Sequence, residues 1–339
     1  MKVFQIENDW GMENLKVSTR PEPRPAAGEV LLRVNASSLN YRDLLVPSRG
    51  YGSYTGNLPL IPLSDGVGEV VEVGAGVMRV KPGDRVLPCF HQGWIAGEPS
   101  LERLTRTVGG PVDGTMTELM CLSQEGLVKA PAYLTDLEAA TLPCAALTAW
   151  SALVTYGSLR PGAKVLVEGT GGVALFAIQI AKLLGAQVTV ISSSDEKIAR
   201  ARALGADAAV NYVKTQEWAK ATRDITGGSG YDHVVELGGE KTLPQALRCI
   251  RPGGTLSMIG VVTGGTMSAQ LGLVVTRQVR MQGITVGHRD GLEAMVRAFE
   301  QHKVKPVIDR VFAFEELKEA MAYLKSGAHF GKVCISGSE

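Results

Sequence analysis

The apolar and polar positions follow one rule in the first third of the chain and another in the middle. From Lys2 to about Val128, short apolar runs such as Val30-Leu-Leu-Arg-Val34 and Gly68-Glu-Val-Val-Glu-Val73 are separated by Pro and Gly clusters. That is the pattern of strands punctuated by turns. Lys81-Pro-Gly-Asp-Arg-Val-Leu87 reads as a turn entering a strand, and Pro21 to Pro25 as an extended connection. Gly93 to Gly114, polar and glycine-bearing, reads as a long loop or lid. No long helical pattern interrupts this region, so a compact β-rich domain is expected.

The rule changes at Leu137 to Val154, which is apolar at helical spacing. From Lys164 strands alternate with helices. After the strand-turn-helix run Lys164 to Lys182 come a strand at Val188 to Ile191, a helix from Asp195 to Leu204 and a strand at Ala208 to Tyr212. A helix near Glu217 to Ile225, a strand at Asp232 to Leu237, a helix from Lys241 to Ile250 and strands at Thr255 to Ile259 and Val279 to Val286 complete it. Such alternation implies parallel strands with crossover helices, a doubly wound α/β sheet in two βαβαβ halves. Helices at Gly291 to His302 and Phe314 to Lys325 and a last strand, Lys332 to Ile335, follow. With six strands already placed, this tail is expected to rejoin the first domain. The expected boundaries are 1–128, 129–299 and a return segment 300–339.

A chain of 339 residues, 45% hydrophobic and 20% charged, has the composition of a globular protein of one large or two ordinary domains. Its 35 basic and 34 acidic residues leave a net charge of +1, no footprint for nucleic acid or an anionic membrane. Met1 to Trp10 lacks the basic start and apolar core of a signal peptide, and no uninterrupted apolar run is long enough to span a bilayer. A cytoplasmic protein is expected. Cys89, Cys121, Cys144, Cys249 and Cys334 are scattered without a C-x-x-C pair, which argues against a disulfide framework and against a local zinc lobe. Most of them read as small buried apolar residues.

The stretch with the clearest chemistry is Lys164 to Lys182, where Gly169, Gly171 and Ala174 fit G-x-G-x-x-G/A. The first glycine permits the tight turn and the second lets backbone approach a pyrophosphate. The small third residue lets helix and strand pack, and free amides at the helix N-terminus hold the anion. The motif alone is weak; its strand-turn-helix setting strengthens it.

Further markers extend across the chain. Pro62-Leu-Ser-Asp-Gly-Val-Gly-Glu-Val-Val-Glu-Val-Gly74, Val80-Lys-Pro-Gly-Asp-Arg-Val86, Leu142-Pro-Cys-Ala-Ala-Leu-Thr-Ala-Trp150 and the Gly169 motif together resemble the medium-chain dehydrogenase/reductase superfamily, nearly end to end. The resemblance implies a GroES-like β-rich catalytic domain and a Rossmann domain. It also shows a departure. Zinc members carry Cys where this chain has Asn40 and His-Glu where it has Ser64-Asp65; only Cys144 keeps a ligand position, and Cys89 stands alone where four cysteines bind structural zinc. Asn and Ser are not competent zinc ligands, so no metal is expected. Asn40, Asp43 and Arg49-Gly-Tyr51 are instead similar to the zinc-independent quinone-oxidoreductase branch.

An acid about 20 residues past the glycines would select NAD. Here that position, at the end of the second strand, is Ser192, with Lys197 and Arg200 nearby. The resemblance adds Tyr212 as a contact to the 2′-phosphate, and NADP(H) is the expected cofactor. Ser192 to Ser194 also read as an N-cap for the helix starting near Asp195, a role compatible with phosphate binding, and Asp195 could serve NADH if its side chain swung back. The cofactor-binding set is Thr148, Gly169, Thr170, Gly171, Gly172, Val173, Ser192, Ser193, Lys197, Tyr212 and Gly260.

The resemblance places Asn40, Tyr41, Tyr51, Ser64 and Thr148 around the nicotinamide. Tyr51, Asn40 and Tyr41 are the expected catalytic residues, with Tyr51 a donor to a substrate oxygen or carbon. For Tyr41 a packed aromatic is an equal reading. Asp43 and Asp65 read as structural acceptors, and His91 as the one histidine that could face the cleft. The expected activity is reduction of a small quinone or α,β-unsaturated carbonyl by a homodimer. An alcohol or aldehyde dehydrogenase and a non-enzymatic NADPH sensor are the other readings.

Overall fold

The computed structural model describes residues 1–267 and 269–338. The chain forms two compact units, Met1–Leu147 with Val286–Glu339, and Thr148–Thr285.

The first unit is β-rich, as the short apolar runs dictate. Strands β1 (Lys2–Ile6) and β2 (Leu15–Thr19) form an antiparallel pair. β3 (Glu29–Ser38), β4 (Asp65–Val73), β5 (Arg85–Pro88), β6 (Leu119–Ser123) and β7 (Leu127–Lys129) enter a larger sheet. The long β3 is central: it pairs with both β4 and β6. Its buried residues Val30, Leu32 and Val34 alternate into a core with Val70, Val86 and Leu122. The extended Gly93 to Gly114 region is partly packed: Trp94 is buried, and Ser100 caps a short helix, Leu101–Leu104, accepting from Arg103 N at 3.4 Å.

The second unit holds a six-stranded parallel sheet of β8 (Lys164–Glu168), β9 (Gln187–Ser192), β10 (Ala208–Asn211), β11 (Tyr231–Glu236), β12 (Ile250–Met258) and β13 (Arg280–Gly283). The order is β10-β9-β8-β11-β12-β13, the doubly wound arrangement, whose direction switches between β8 and β11. β8 is apolar and buried from Val165 to Val167 because helices cover both faces of such a sheet. A helix at Leu271–Thr276, unforeseen in the apolar pattern, precedes β13, and the expected strand at Val279 to Val286 shrinks to Arg280–Gly283.

The tail joins the first unit. β14 (Ile308–Phe312) and β15 (Lys332–Ser336) pair in parallel, and β15 pairs with β3. Phe312, Leu317, Met321 and Val333 bury themselves with Val3, Leu39 and Ile61. The unit boundaries fall at 147/148 and 285/286, not at 128/129 and 299/300. Ion pairs explain the difference: Glu138 with Lys305, Arg79 with Glu293 and Glu125 with Arg289 tie both flanking segments into the first unit.

The helix at Asp136–Thr155 is apolar and long enough to cross a membrane, longer than its apolar core suggested, but it is mostly buried within the protein. π-type turns occur at Leu142–Ala146 and Ser151–Thr155. Pro143, without an N–H, lies in the first, and that turn carries Cys144.

Candidate active site

In the first unit Asn40 and Asp65 meet around a buried lysine. Lys332 opens β15 with only 3% exposure. Its Nζ donates to Leu39 O at 2.7 Å, Asn40 Oδ1 at 2.6 Å and Asp65 Oδ2 at 3.2 Å, using all three ammonium protons. Asn40 Nδ2 donates to the same Asp65 oxygen at 2.8 Å, and the Asn40 backbone N–H donates to Asp43 Oδ2 at 2.7 Å. Asn40 is thus held at both ends of its amide, between a cation and an anion.

Ser64 and Asp65 arrive on a constrained segment. Leu63 has φ +67°, a sparsely populated conformation for a branched side chain. Close backbone explains why glycine follows it in space: a Cβ on Gly114 would sit 2.1 Å from Pro62 O. Three buried polar atoms in this region have no hydrogen-bond partner, Asp43 Oδ1, Ser64 Oγ and Asp65 Oδ1. Burial pushes Asp43 up to about 6 against the pull of Arg42. Burial also raises Asp65, opposed by Lys332 and Asn40, and holds the Cys144 thiol far above its ordinary range, reinforced by Asp65.

These donors do not make a zinc site. An amide turned to an ammonium, an unbonded serine and a protonated thiol offer no set of anionic or imidazole ligands. Among the described residues no group of three or more His, Cys, Asp or Glu is placed to hold a metal ion. Cys89 is also buried, its thiol pushed up to about 12. His91 packs edge-on between Phe90 and Trp94 at 4.7 and 5.6 Å and is 3% exposed, a core residue of the first unit.

Tyr51 is half-exposed and meets Arg42, which the sequence reading passed over. The Arg42 guanidinium is anchored on Val108 O at 2.8 Å and Gly110 O at 3.3 Å. It stacks on Phe90 and lies 5.7 Å from the Tyr51 ring. It also hydrogen-bonds the Tyr51 hydroxyl, but burial outweighs it and raises the phenol above its ordinary range. Tyr51 therefore stays protonated at neutral pH and can donate. Tyr41 is exposed at the head of the turn Tyr41–Leu44 and joins none of these hydrogen bonds.

In the second unit the glycine turn forms as the motif requires. Gly169 has φ +77° with open space where a Cβ would stand, so the backbone conformation is what selects glycine. Gly171 caps the helix Gly172–Leu183 without any side-chain bond, and among the described residues no acceptor takes the amides of Gly172, Val173 and Ala174. Thr170 is buried beside them. A Cβ on Gly260 would sit 1.8 Å from Leu237 O, so this loop can be only glycine. These features fit a dinucleotide pyrophosphate. Ser192 is buried at the end of β9, and Tyr212 N donates to its carbonyl at 3.1 Å. Ser193 is exposed. The capping role belongs to Ser194, which accepts from Lys197 N at 3.3 Å. Asp195 is occupied by Lys214 and by Asn211 Nδ2, the latter at 2.7 Å. Thr148 is buried on the long helix.

Residues 26–132 match the alcohol dehydrogenase GroES-like domain and residues 172–301 the zinc-binding dehydrogenase domain. A zinc-type alcohol dehydrogenase-like protein of Schizosaccharomyces pombe is 42% identical over 334 residues, 96% of each chain. The chain belongs to the medium-chain dehydrogenase/reductase superfamily. Its members are oxidoreductases that use a nicotinamide cofactor. An acryloyl-coenzyme A reductase of Metallosphaera sedula is 31% identical over 93% of this chain and 94% of its own. Among solved structures, one from Sinorhizobium meliloti, provisionally named an alcohol dehydrogenase, superposes with TM-score 0.94 at 43% identity, covering 99% and 98%. A 2-octenoyl-CoA carboxylase reductase, solved with NADP and 2-octenoyl-CoA, gives 0.87 at 26%, covering 96% and 82%. A Coxiella burnetii quinone oxidoreductase gives 0.80 at 26% and 99% of each.

Proposed function

We propose that this oxidoreductase is zinc-independent and uses NADPH to reduce an α,β-unsaturated carbonyl or a quinone by hydride transfer. The observation that carries the reading is Lys332, a buried ammonium bonded to Asn40, which stands at one metal-ligand position, and to Asp65 of the Ser64-Asp65 pair. Zinc assists alcohol oxidation by lowering the alcohol's pKa and polarising the carbonyl. Conjugated acceptors are already electrophilic and need only a donor at the oxygen. NADPH supplies the hydride when bound. Tyr51, protonated and positioned by Arg42, supplies the hydrogen bond or proton to the enolate or hydroquinone oxygen. Lys332 and Asp65 fix Asn40, and Asn40 retains one N–H beyond its bond to Asp65 for a polar partner. Ser192, Lys197 and Tyr212 favour the 2′-phosphate, and Asp195, engaged by Lys214 and Asn211, does not oppose it.

The similarity to an acryloyl-coenzyme A reductase and to a 2-octenoyl-CoA carboxylase reductase supports an activated double bond as the target. The alcohol dehydrogenase names among the relatives favour a second reading, alcohol or aldehyde oxidation. We also place the enzyme in the cytoplasm as a homodimer joined along β13, the edge strand of its sheet; a monomer mass in light scattering would count against the dimer. The deciding experiment measures NADPH oxidation with an enone and quinone panel beside NADP⁺ reduction by simple alcohols, with elemental analysis of the same preparation. Tyr51→Phe is expected to lower turnover about a hundredfold, the loss of one preorganised donor, with NADPH affinity nearly unchanged. Faster oxidation of simple alcohols than reduction of every enone and quinone, or stoichiometric zinc lost with activity in Cys144→Ser, overturns the reading.

A further inference from the structure

The two central strands of the second unit each end in a buried glutamate. Glu168 is the last residue of β8 and Glu236 the last of β11, at 4% and 1% exposure. The register pairs Val167 with Val235, so the next residues lie side by side at the point where the sheet changes direction. Their carboxyls lie close enough to act on each other directly. Every other polar contact of the pair goes to one loop. Glu168 Oε2 accepts from the backbone of Leu237 and Gly238 at 3.2 and 3.3 Å. Glu236 Oε1 accepts from Gly239 N at 2.9 Å and from the Thr242 hydroxyl. That loop is in turn tied to the segment after Gly260, with Thr263 N donating to Gly238 O at 2.8 Å.

Glu168 Oε1 is the decisive atom. It is buried and, among the described residues, no N–H or hydroxyl donates to it, while the Glu236 carboxyl interacts directly with that of Glu168. Two adjacent ionised carboxylates without a donor between them are untenable in a buried site, and one bridging proton removes both problems. Among the described residues no cation bonded to either carboxylate does the work instead. The register partners on the neighbouring strands are Ile191 and Met258, neither titratable. The Cys249 thiol, at the end of the helix Leu243–Cys249, is the other titratable group acting across to Glu168, and burial pushes it up to about 12. Glu240 and Lys241 on the loop are exposed and bond to neither carboxylate.

We propose that Glu168 and Glu236 share one buried proton and act as positioning residues for the dinucleotide site. Protonated, the pair holds the loop Leu237–Thr242 against the Gly260 segment and leaves a single negative charge beneath Gly169. Loss of the proton puts a second charge next to the amides that take the pyrophosphate, and repulsion between the strand ends releases the loop. Cofactor affinity then falls as the pair ionises, by about tenfold per pH unit above its pKa for a one-proton linkage. Burial and the neighbouring charge both raise Glu168 well above the ordinary carboxyl range, so that fall comes at higher pH than an ordinary carboxyl would give. The inference rests on dinucleotide binding and not on the reduction reading.

The test uses Glu168→Gln, whose amide donates to Glu236 permanently while its oxygen keeps the bonds from Leu237 and Gly238. An infrared difference spectrum, intact protein minus E168Q at about pH 8, is expected to show the carbonyl band of a protonated carboxylic acid. NADPH dissociation constants, read from cofactor fluorescence without turnover, are expected to rise about tenfold or more between about pH 7 and about pH 10 in the native protein and to stay flat in E168Q. Glu168→Leu, which loses the loop bonds, is expected to weaken binding at every pH. Absence of the band, a flat native profile, or a parallel rise in E168Q overturns the proposal. None of these readouts involves substrate, so failure of the reduction reading leaves them intact.

Discussion

Each unit buries two acids beside its candidate chemistry, and the two pairs are neutralised by different means. In the first unit Asp65, fully buried, faces Lys332 at 3.2 Å, and Asp43 lies under the influence of Arg42. In the second, Glu168 and Glu236 face each other, and among the described residues no lysine or arginine is bonded to either. A carboxylate taken out of water needs a cation or a proton. In the first unit an ammonium offsets Asp65 directly; in the second, only a proton can offset the pair. The same physics therefore gives a rigid platform in one unit and a pH-dependent loop in the other.

The largest expected effect comes from removing the cation. Lys332→Met leaves Asp65 buried and unpaired, and breaking one side of such a pair costs about 3–5 kcal/mol. Urea unfolding is the measurement. The double variant Lys332→Met with Asp65→Leu is expected to recover most of the loss, because an apolar pair carries no desolvation cost. If the single variant is as stable as the native protein, the ammonium does not hold the first unit's network and the contrast between the units collapses.

The strand alternation, the glycine turn and the return of the tail were legible because each is written in neighbouring residues. The turn at Gly169 needs only its own backbone angles and its own helix. Lys332 was not legible: its acid partner is 267 residues away, and a lysine opening the run Lys332-Val-Cys-Ile335 looks like any solvated strand end. Its 3% exposure alone reveals it. Glu168 and Glu236 were hidden the same way, as the polar last residues of two apolar strands. Arg42 was overlooked because its anchors, Val108 and Gly110, lie in a stretch that reads as loop. The unit boundaries were misplaced because the flanking helices are held by ion pairs such as Arg289 with Glu125, and pairing across the chain leaves no periodicity to read.

A second way to sharpen the comparison is pH. Asp43, raised from 3.8 to about 6, binds its proton more tightly folded than unfolded, so the stability it contributes is full below pH 3.8 and lost as pH rises to about 6. His233 in the second unit runs the other way. Burial lowers it from 6.5 to about 4, with Nε2 bonded to Ser257 Oγ at 2.9 Å. Its contribution is full above pH 6.5 and lost as pH falls towards 4. Each slope amounts to about 3 kcal/mol, and in the native protein they oppose one another. Stability profiles relative to native should therefore diverge: Asp43→Asn steepens the gain with rising pH, and His233→Gln reverses it. Parallel profiles for the two variants would show that neither group is buried as described.

The smallest effect concerns where the second unit keeps its cations. With none bonded to the glutamate pair, the unit's positive charge near the cofactor stands at the rim, on Lys197 at the head of the helix Asp195–Ala203. That helix is capped by Ser194, which accepts from the Lys197 backbone N–H. A charge-assisted contact to a phosphate contributes about 1.5–3 kcal/mol, and solvent screening at the rim places Lys197 at the lower end. Lys197→Ala is therefore expected to weaken NADPH roughly tenfold while leaving NADH unchanged, because only the former carries the 2′-phosphate. Raising ionic strength should shrink the NADPH advantage in the native protein and have little left to remove in the variant. Titrations with both cofactors at two salt concentrations measure this directly. Equal losses for NADPH and NADH would mean that Lys197 supports the pyrophosphate or the helix, and the preference for NADPH would then have to rest on Ser192 and Tyr212.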